Sequence, residues 1–168
     1  MTISITSQPL SDYDAQLAYK TATAYLRQSD LANYLIDQLE KQHVKLSVEV
    51  STDPALADKN SSNNGTIVWN LLSRVPPSSD LPHVAALLSR IPAPQKTFIT
   101  SQWALMHALA LACQQLNSQL NFRDADATWP WLDENVLSAD DIENGVAREL
   151  SDLPLPDEQN WNRVLKPA

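Results

Sequence analysis

The sequence predicts an α+β fold in which a small β-sheet packs against a central buried helix. Residues 100–120 carry the longest uninterrupted helical pattern of the chain. This pattern is apolar on nearly every side from Trp103 to Cys113, which is typical of a helix buried all round. Residues 44–50 instead alternate apolar and polar side chains, the pattern of a half-buried strand. The two periods within one chain indicate a domain that mixes helices and strands.

Length and composition set the outer limits of the prediction. The chain has 168 residues, of which 43% are apolar, enough to bury one sizeable core. We therefore expect one domain over residues 1–168, with an ordered core over about residues 11–156 and extended ends.

Charge and residue usage exclude several classes of function. The net charge of −8, with no cluster of Lys or Arg, disfavours nucleic acid and anionic membrane surfaces as partners. The chain has two glycines, which excludes the glycine-rich loops that bind phosphates and dinucleotides. The single cysteine, Cys113, excludes an internal disulfide and a cysteine-based zinc site.

Targeting signals are also missing from the sequence. No stretch reaches the ~18 apolar residues of a membrane span, and the first residues have neither the basic region nor the apolar core of a signal peptide. The sequence therefore predicts a protein that is cytoplasmic as synthesised, with any export through a signal-peptide-independent secretion system.

Two helices are predicted near the start of the chain. Ser11 and Ser29 each precede acidic residues and an apolar helical pattern, so they are predicted to be the N-caps of helices over residues 11–28 and 29–42. The second helix repeats leucine at every fourth position and is expected to face the core.

Two strands follow these helices. Residues 51–65 are rich in Asp, Asn, Ser and Pro and predict a long exposed loop that ends in an Asn-Gly turn. Residues 66–70, TIVWN, predict the next strand. This strand could pair with residues 44–50 as an antiparallel neighbour, with a register that the long loop leaves open.

The second half of the chain holds shorter helices around the central one. Five prolines between residues 76 and 94 limit any helix there to about residues 83–90. Ser138 and Asp141 form a capping-box-like start to a helix over residues 138–150. The proline-containing C-terminal segment is predicted to be extended.

The order of these segments resembles the bacterial effector zinc-metallopeptidase family, whose members include type III secretion proteases. The resemblance covers about residues 25–156. It rests on YLRQSDLANYLIDQLEKQHVKLSVEV, GTIVWN, the central apolar helix and IENGVARELSDLPLP. It implies a zincin-like metallopeptidase fold with an HExxH helix at its centre.

The resemblance places the stretch WALMH where the family has HExxH. Trp103 then stands at the first histidine, Ala104 at the glutamate and His107 at the second histidine. The family motif needs two imidazoles on one helix face to hold zinc and a glutamate to act on the metal-bound water. Because tryptophan cannot ligate zinc and alanine cannot accept a proton, we expect no zinc hydrolysis by the family mechanism.

Two interpretations of His107 remain open. On an apolar helix it is typically a packed residue with one hydrogen bond, and the indole of Trp103 would fill the volume of a lost metal site. Alternatively, His107 could join a rearranged metal site, for which the sequence offers Asp133 and Glu134 downstream. His43 and His83 are further possible ligands for such a site.

Other candidate residues carry weaker signals. Cys113 lies six residues after His107 and faces another side of the helix, which disfavours a Cys-His dyad. The adjacent pairs Asp133 with Glu134, and Asp140 with Asp141, are typical of solvated or helix-capping carboxylates.

The segment that matches the last family motif contains Glu143, Asn144, Arg148 and Glu149, and the residues alone assign it no chemical role. An ion pair between Glu143 and Arg148 on the helix surface is the simplest interpretation of two of them.

Three functions follow as hypotheses. The first is a catalytically inactive metallopeptidase-like domain of the effector or toxin type, which needs no cofactor and acts by binding a protein. The second is an active hydrolase whose zinc is held by a rearranged site. The third is a small acidic inhibitory or immunity-type binding protein, in which the negative charge supplies the complementary surface.

Overall fold

A computed structural model describes most of the chain. The described residues are 3–7, 11–41, 44–54, 60–73, 80–92, 96–120, 122, 128–132 and 137–153, with the backbone alone for 3–7 and 96–98. Within them the elements are β1 (Ile3–Ser7), α1 (Asp12–Leu26), α2 (Asp30–Leu39), β2 (Leu46–Ser51), β3 (Ser61–Asn63), β4 (Thr66–Asn70), α3 (Pro82–Ser89), α4 (Lys96–Gln115), a 3₁₀ turn (Asn117–Gln119) and α5 (Ala139–Leu150). This content confirms the α+β class.

The four strands form one sheet in the order β1-β2-β4-β3. β1 pairs with β2 and β2 pairs with β4, both in parallel, whereas β3 pairs with β4 in the antiparallel sense. The antiparallel pairing expected between the strands at 44–50 and 66–70 is therefore wrong. The parallel pairing depends on β3, which lies inside the predicted loop. β3 runs antiparallel to β4, so the chain reverses once between β2 and β3 and again at the Asn64-Gly65 turn. β4 therefore runs in the same direction as β2.

The sheet buries one face against the helices. Leu46, Val48 and Val50 of β2 are buried while Glu49 between them is exposed, as the alternating sequence predicts. On β4 the buried Trp69 donates its indole N–H to the backbone oxygen of Ser101 on α4, at 2.7 Å. This bond fixes the sheet against the central helix. The sequence predicts only an extended end before residue 11, whereas the structure has strand β1 there.

The first two helices begin where their capping residues predict. The Ser11 hydroxyl accepts a hydrogen bond from the N–H of Asp14, and the Ser29 hydroxyl accepts one from the N–H of Ala32. Each bond satisfies one of the unpaired N–H groups of the first helical turn. α1 ends at Leu26 and α2 at Leu39, both slightly short of the predicted limits.

Helix α4 is the central element of the core. It begins at Lys96 and ends at Gln115, one turn earlier than predicted at its start, and a 3₁₀ turn follows it. Every described residue from Ile99 to Cys113 is buried except His107 and Leu111. The prediction of a central buried helix is therefore confirmed. No helix of the described part of the chain is both long enough and apolar enough to cross a bilayer.

The hairpin between β3 and β4 is held by the end of α4. The side-chain oxygen of Gln115 accepts from the Ser62 hydroxyl and from the N–H of Asn64, and its amide donates to the Ser62 carbonyl. Both turn residues have positive φ, 46° at Asn64 and 100° at Gly65. A Cβ atom at Gly65 would collide with the carbonyl oxygen of Lys45.

We expect Gly65→Ala to lower the free energy of unfolding by about 1 to 3 kcal/mol, because alanine meets both the unfavourable φ and the Lys45 oxygen. Chemical denaturation measures this change. The control is Asn63→Ala, at an exposed position of β3, which should change the free energy by no more than about 0.5 kcal/mol. Equal stability of the two variants would show that the turn tolerates a side chain.

Candidate functional site on the central helix

Trp103, Ala104 and His107, which the resemblance aligns with the key positions of HExxH, have different environments on α4. The side chains of Trp103 and Ala104 are 0% exposed and belong to the core. His107, one turn after Trp103, keeps 19% of its side chain exposed. The helix face on which an HExxH motif would hold its metal is therefore packed at the first position and reaches solvent at the second.

The ring of His107 is paired with a buried carboxylate on α5. Its Nδ1 atom lies 3.0 Å from each of the two carboxylate oxygens of Glu143, whose side chain is 0% exposed. When the carboxylate is ionised it only accepts hydrogen bonds, and the contact then requires the proton on Nδ1 of the imidazole. Nε2 is then the ring nitrogen that is left for other partners. The interpretation of His107 as a packed residue with a hydrogen bond thus gains a defined partner.

The sequence interpretation of Glu143 as a surface residue paired with Arg148 is wrong. It is buried against His107 and forms no ion pair with Arg148, whose side chain is exposed on another side of α5. A signal was available in the helical pattern. Glu143 lies four residues after the buried Ala139 and four before the buried Ala147, in the middle of the apolar stripe of α5. A carboxylate at such a position requires a buried partner.

Two further polar residues of α5 reach other helices. The side-chain oxygen of Asn144 accepts from the N–H of His83 at 2.8 Å and so caps α3, whose own N-cap residue makes no side-chain bond. The carboxylate of Glu149 accepts from the Ser29 hydroxyl and the N–H of Leu31 at the start of α2. The motif around residues 143–149 therefore joins three helices to α5.

The start of α5 differs from the predicted capping box. Ser138 occupies the N-cap position but its side chain makes no capping bond. The N–H of Ala139 instead donates to the side-chain oxygen of Gln114 on α4, at 2.9 Å. A residue from the central helix thus supplies the cap, which no local sequence pattern could indicate.

The described residues do not fit a zinc site of the HExxH type. Trp103 offers no ligand atom, and no group of three His, Cys, Asp or Glu residues converges anywhere in the described ranges. His83 contributes its backbone N–H to α5, as given above. Asp133, Glu134 and His43 lie outside the described residues. The rearranged metal site for which the sequence offers them as ligands therefore remains a prediction.

The remaining candidates are separate from the His107 pair. Asp140 and Asp141 are exposed in the first turn of α5, where carboxylates stabilise the helix. Cys113 is fully buried, and this burial raises the pKa of its thiol from 9.0 to about 12. A thiol in that environment stays protonated at neutral pH and is a poor nucleophile.

Comparisons with known proteins identify no relative of this chain. No family model, no curated protein and no solved structure matches this chain. The resemblance to the effector metallopeptidases therefore depends on the segments quoted from the sequence, and the zincin-like fold stays a prediction.

We expect His107→Ala to lower the free energy of unfolding by about 3 kcal/mol, because it leaves the Glu143 carboxylate buried without a partner. The double variant His107→Ala/Glu143→Ala should lose less than the sum of the two single variants, since it removes the stranded charge as well. Chemical denaturation of the four proteins gives the coupling. Asp141→Ala, an exposed carboxylate on the same helix, is the control. Strictly additive losses would contradict the pairing.

We expect the protein to lose stability as pH rises above about 9, because the thiol of Cys113 ionises there only in the unfolded chain. Burial likewise raises the pKa of Tyr25 from 10.0 to about 12. Between the unfolded and folded pKa values the unfolded chain has lost protons that the folded chain keeps, so the free energy of unfolding falls.

Denaturation midpoints at a series of alkaline pH values measure this loss. In Cys113→Ala the free energy of unfolding should fall less steeply as pH rises. Native Cys113 should also resist a thiol reagent at neutral pH until denaturant is added. Rapid modification of the folded protein would contradict the burial of the thiol.

Proposed function

We propose that this chain is a catalytically inactive metallopeptidase-like domain of the effector or toxin type, which acts by binding another protein. It needs no metal for this role. The proposal implies synthesis in the bacterial cytoplasm and, for an effector, export that does not use a signal peptide.

One observation carries the proposal. The positions that correspond to the first zinc ligand and the catalytic glutamate are Trp103 and Ala104, and both side chains are fully buried in the core. Restoring a metal there would require removing an indole from a packed interior. The central helix, the GTIVWN strand and the last motif form α4, β4 and α5, which supports a loss confined to the chemistry.

The second candidate is a hydrolase with a rearranged metal site, and the geometry at His107 favours it. Metal-binding histidines commonly donate the N–H of one ring nitrogen to a carboxylate while the other nitrogen binds the ion. Glu143 holds Nδ1 in this manner and His107 is partly exposed. This candidate needs at least two more ligands from outside the described residues, with Asp133 and Glu134 as the first choices.

Metal content separates the two candidates. We expect the untagged protein, after exhaustive dialysis, to contain no stoichiometric zinc when its elements are measured by mass spectrometry. About one zinc per chain would overturn the proposal and support the rearranged site. In that case His107→Ala should abolish the zinc, whereas Tyr13→Ala, at an exposed site on α1, should leave it unchanged.

Restoring the motif tests the resemblance itself. We expect Trp103→His/Ala104→Glu to bind zinc that the unmodified chain does not bind, with His107 as the second imidazole ligand and a third ligand from outside the described residues, for which Asp133 and Glu134 are the candidates. The same double variant with His107→Ala added is the control and should bind none. Circular dichroism must first show that the variant keeps its helices. A folded variant without zinc affinity would contradict the metallopeptidase resemblance.

A further inference from the structure

Both glycines of the chain directly follow an asparagine, and the two Asn-Gly pairs lie in different structures. Asn64-Gly65 forms the turn of the β3–β4 hairpin, whereas Asn144-Gly145 lies inside α5. In an Asn-Gly pair the asparagine side chain reacts most readily with the next backbone nitrogen, because glycine has no side chain to block the approach. The chain therefore carries the same reactive pair in two contrasting environments.

The reaction is a spontaneous deamidation that consumes water. The backbone nitrogen of the glycine attacks Cγ of the asparagine and closes a succinimide ring. The side-chain amide leaves as ammonia and takes up the proton of the attacking N–H. One water molecule then opens the ring. Opening at the side-chain carbonyl gives aspartate, and opening at the main-chain carbonyl gives isoaspartate, whose main chain is longer by one carbon atom. Either product adds one negative charge at neutral pH.

The geometry of the turn opposes this reaction at Asn64 while the hairpin is closed. The φ values of 46° at Asn64 and 100° at Gly65 fit a type I′ turn. In such a turn ψ of the first central residue is about 30°, which places the next nitrogen nearly opposite Cβ across the Cα–C bond. Ring closure therefore requires the peptide plane between the two residues to rotate out of the turn.

One side chain of the central helix holds the turn closed. Gln115 accepts from the N–H of Asn64 at 2.9 Å and from the Ser62 hydroxyl at 3.0 Å, and it donates to the Ser62 carbonyl at 2.9 Å. We call these three hydrogen bonds the Gln115 clamp. Gln115 and Asn64 are both exposed. Hydrogen bonds in contact with water add little net stability, so the turn can open while the core stays folded.

The second Asn-Gly pair is held more firmly. The side-chain oxygen of Asn144 accepts from the N–H of His83 at 2.8 Å. The N–H of a residue inside an α-helix, such as Gly145, donates to the carbonyl four residues earlier. Freeing both groups requires α5 to unwind, although Glu143 and Glu149 join this helix to α4 and α2. The pair in α5 is therefore protected by the fold and the pair in the turn only by the Gln115 clamp.

We propose that Asn64 is a deamidation site of the native protein and that the Gln115 clamp sets its rate. The isoaspartate product lengthens a two-residue hairpin loop, whose length fixes the strand register. The pairing of Asn63 with Thr66 is then lost and β3 separates from β4. The site converts repeated opening of the hairpin into a permanent change at one edge of the sheet. This inference goes beyond the proposed function and does not rest on it.

Peptide mapping of the aged protein measures both sites in one sample. The folded protein is incubated at neutral pH, digested at mildly acidic pH and analysed by mass spectrometry. Labelling with an isoaspartyl methyltransferase identifies isoaspartate. We expect product at Asn64 while Asn144 stays intact, and similar rates at the two sites in denaturant, where the local sequence alone decides. Equal rates in the folded protein, or an unchanged Asn64 in a sample whose denatured control reacts, would overturn the inference.

Variants of two adjacent glutamines test the clamp. Gln115→Ala should accelerate deamidation of Asn64 at least about tenfold, because three hydrogen bonds that oppose opening are lost. Gln114→Ala is the matched control, since Gln114 lies on the same helix but bonds to Ala139 of α5. Its rate at Asn64 should equal that of the unmodified chain. Equal rates in all three folded proteins would overturn the role of the clamp.

The isoaspartate form tests the structural consequence. Ion exchange separates it from the unmodified protein by its additional negative charge. We expect its backbone amides to exchange hydrogen faster over residues 61–66, with unchanged exchange in α5. The same exchange rates over residues 61–66 in both forms would contradict the separation of β3.

Discussion

The contact between the Glu143 carboxylate and the His107 ring ties α5 to the central helix. Both groups are polar and lie in or at the edge of an apolar core, so neither can be removed alone without leaving the other unsatisfied. Glu149 extends the same constraint to α2 and Asn144 extends it to α3. One helix of twelve residues therefore sets the positions of three others.

The same contact involves the WALMH stretch of α4. His107 lies at the partly exposed end of this stretch and has a carboxylate partner, whereas the preceding turn is filled by the buried Trp103. A packed indole and a paired imidazole together make a stable helix interface out of a face that, in the resembled family, performs zinc chemistry.

The two glycines have separate structural roles. Gly65 is required by backbone conformation, since its φ is 100° and the Lys45 carbonyl leaves no space for a side chain. Gly145 has no unusual φ, and a Cβ atom there would come within 3.0 Å of both the Trp131 ring and the Leu31 side chain.

The sequence by itself determined the helices and strands whose signals are local. The caps at Ser11 and Ser29, the alternation in β2 and the apolar pattern of α4 depend only on residues close together in the sequence. They can therefore be predicted from the sequence alone.

Only the tertiary structure decided which distant residues meet. The parallel pairing of β2 with β4 depends on β3, three residues within a segment that has the composition of a loop. The partner of His107 lies thirty-six residues away on α5, and the cap of α5 comes from Gln114. Such contacts are set by how helices pack, since hydrogen-bond partners are chosen by proximity in space and leave no fixed spacing in the sequence.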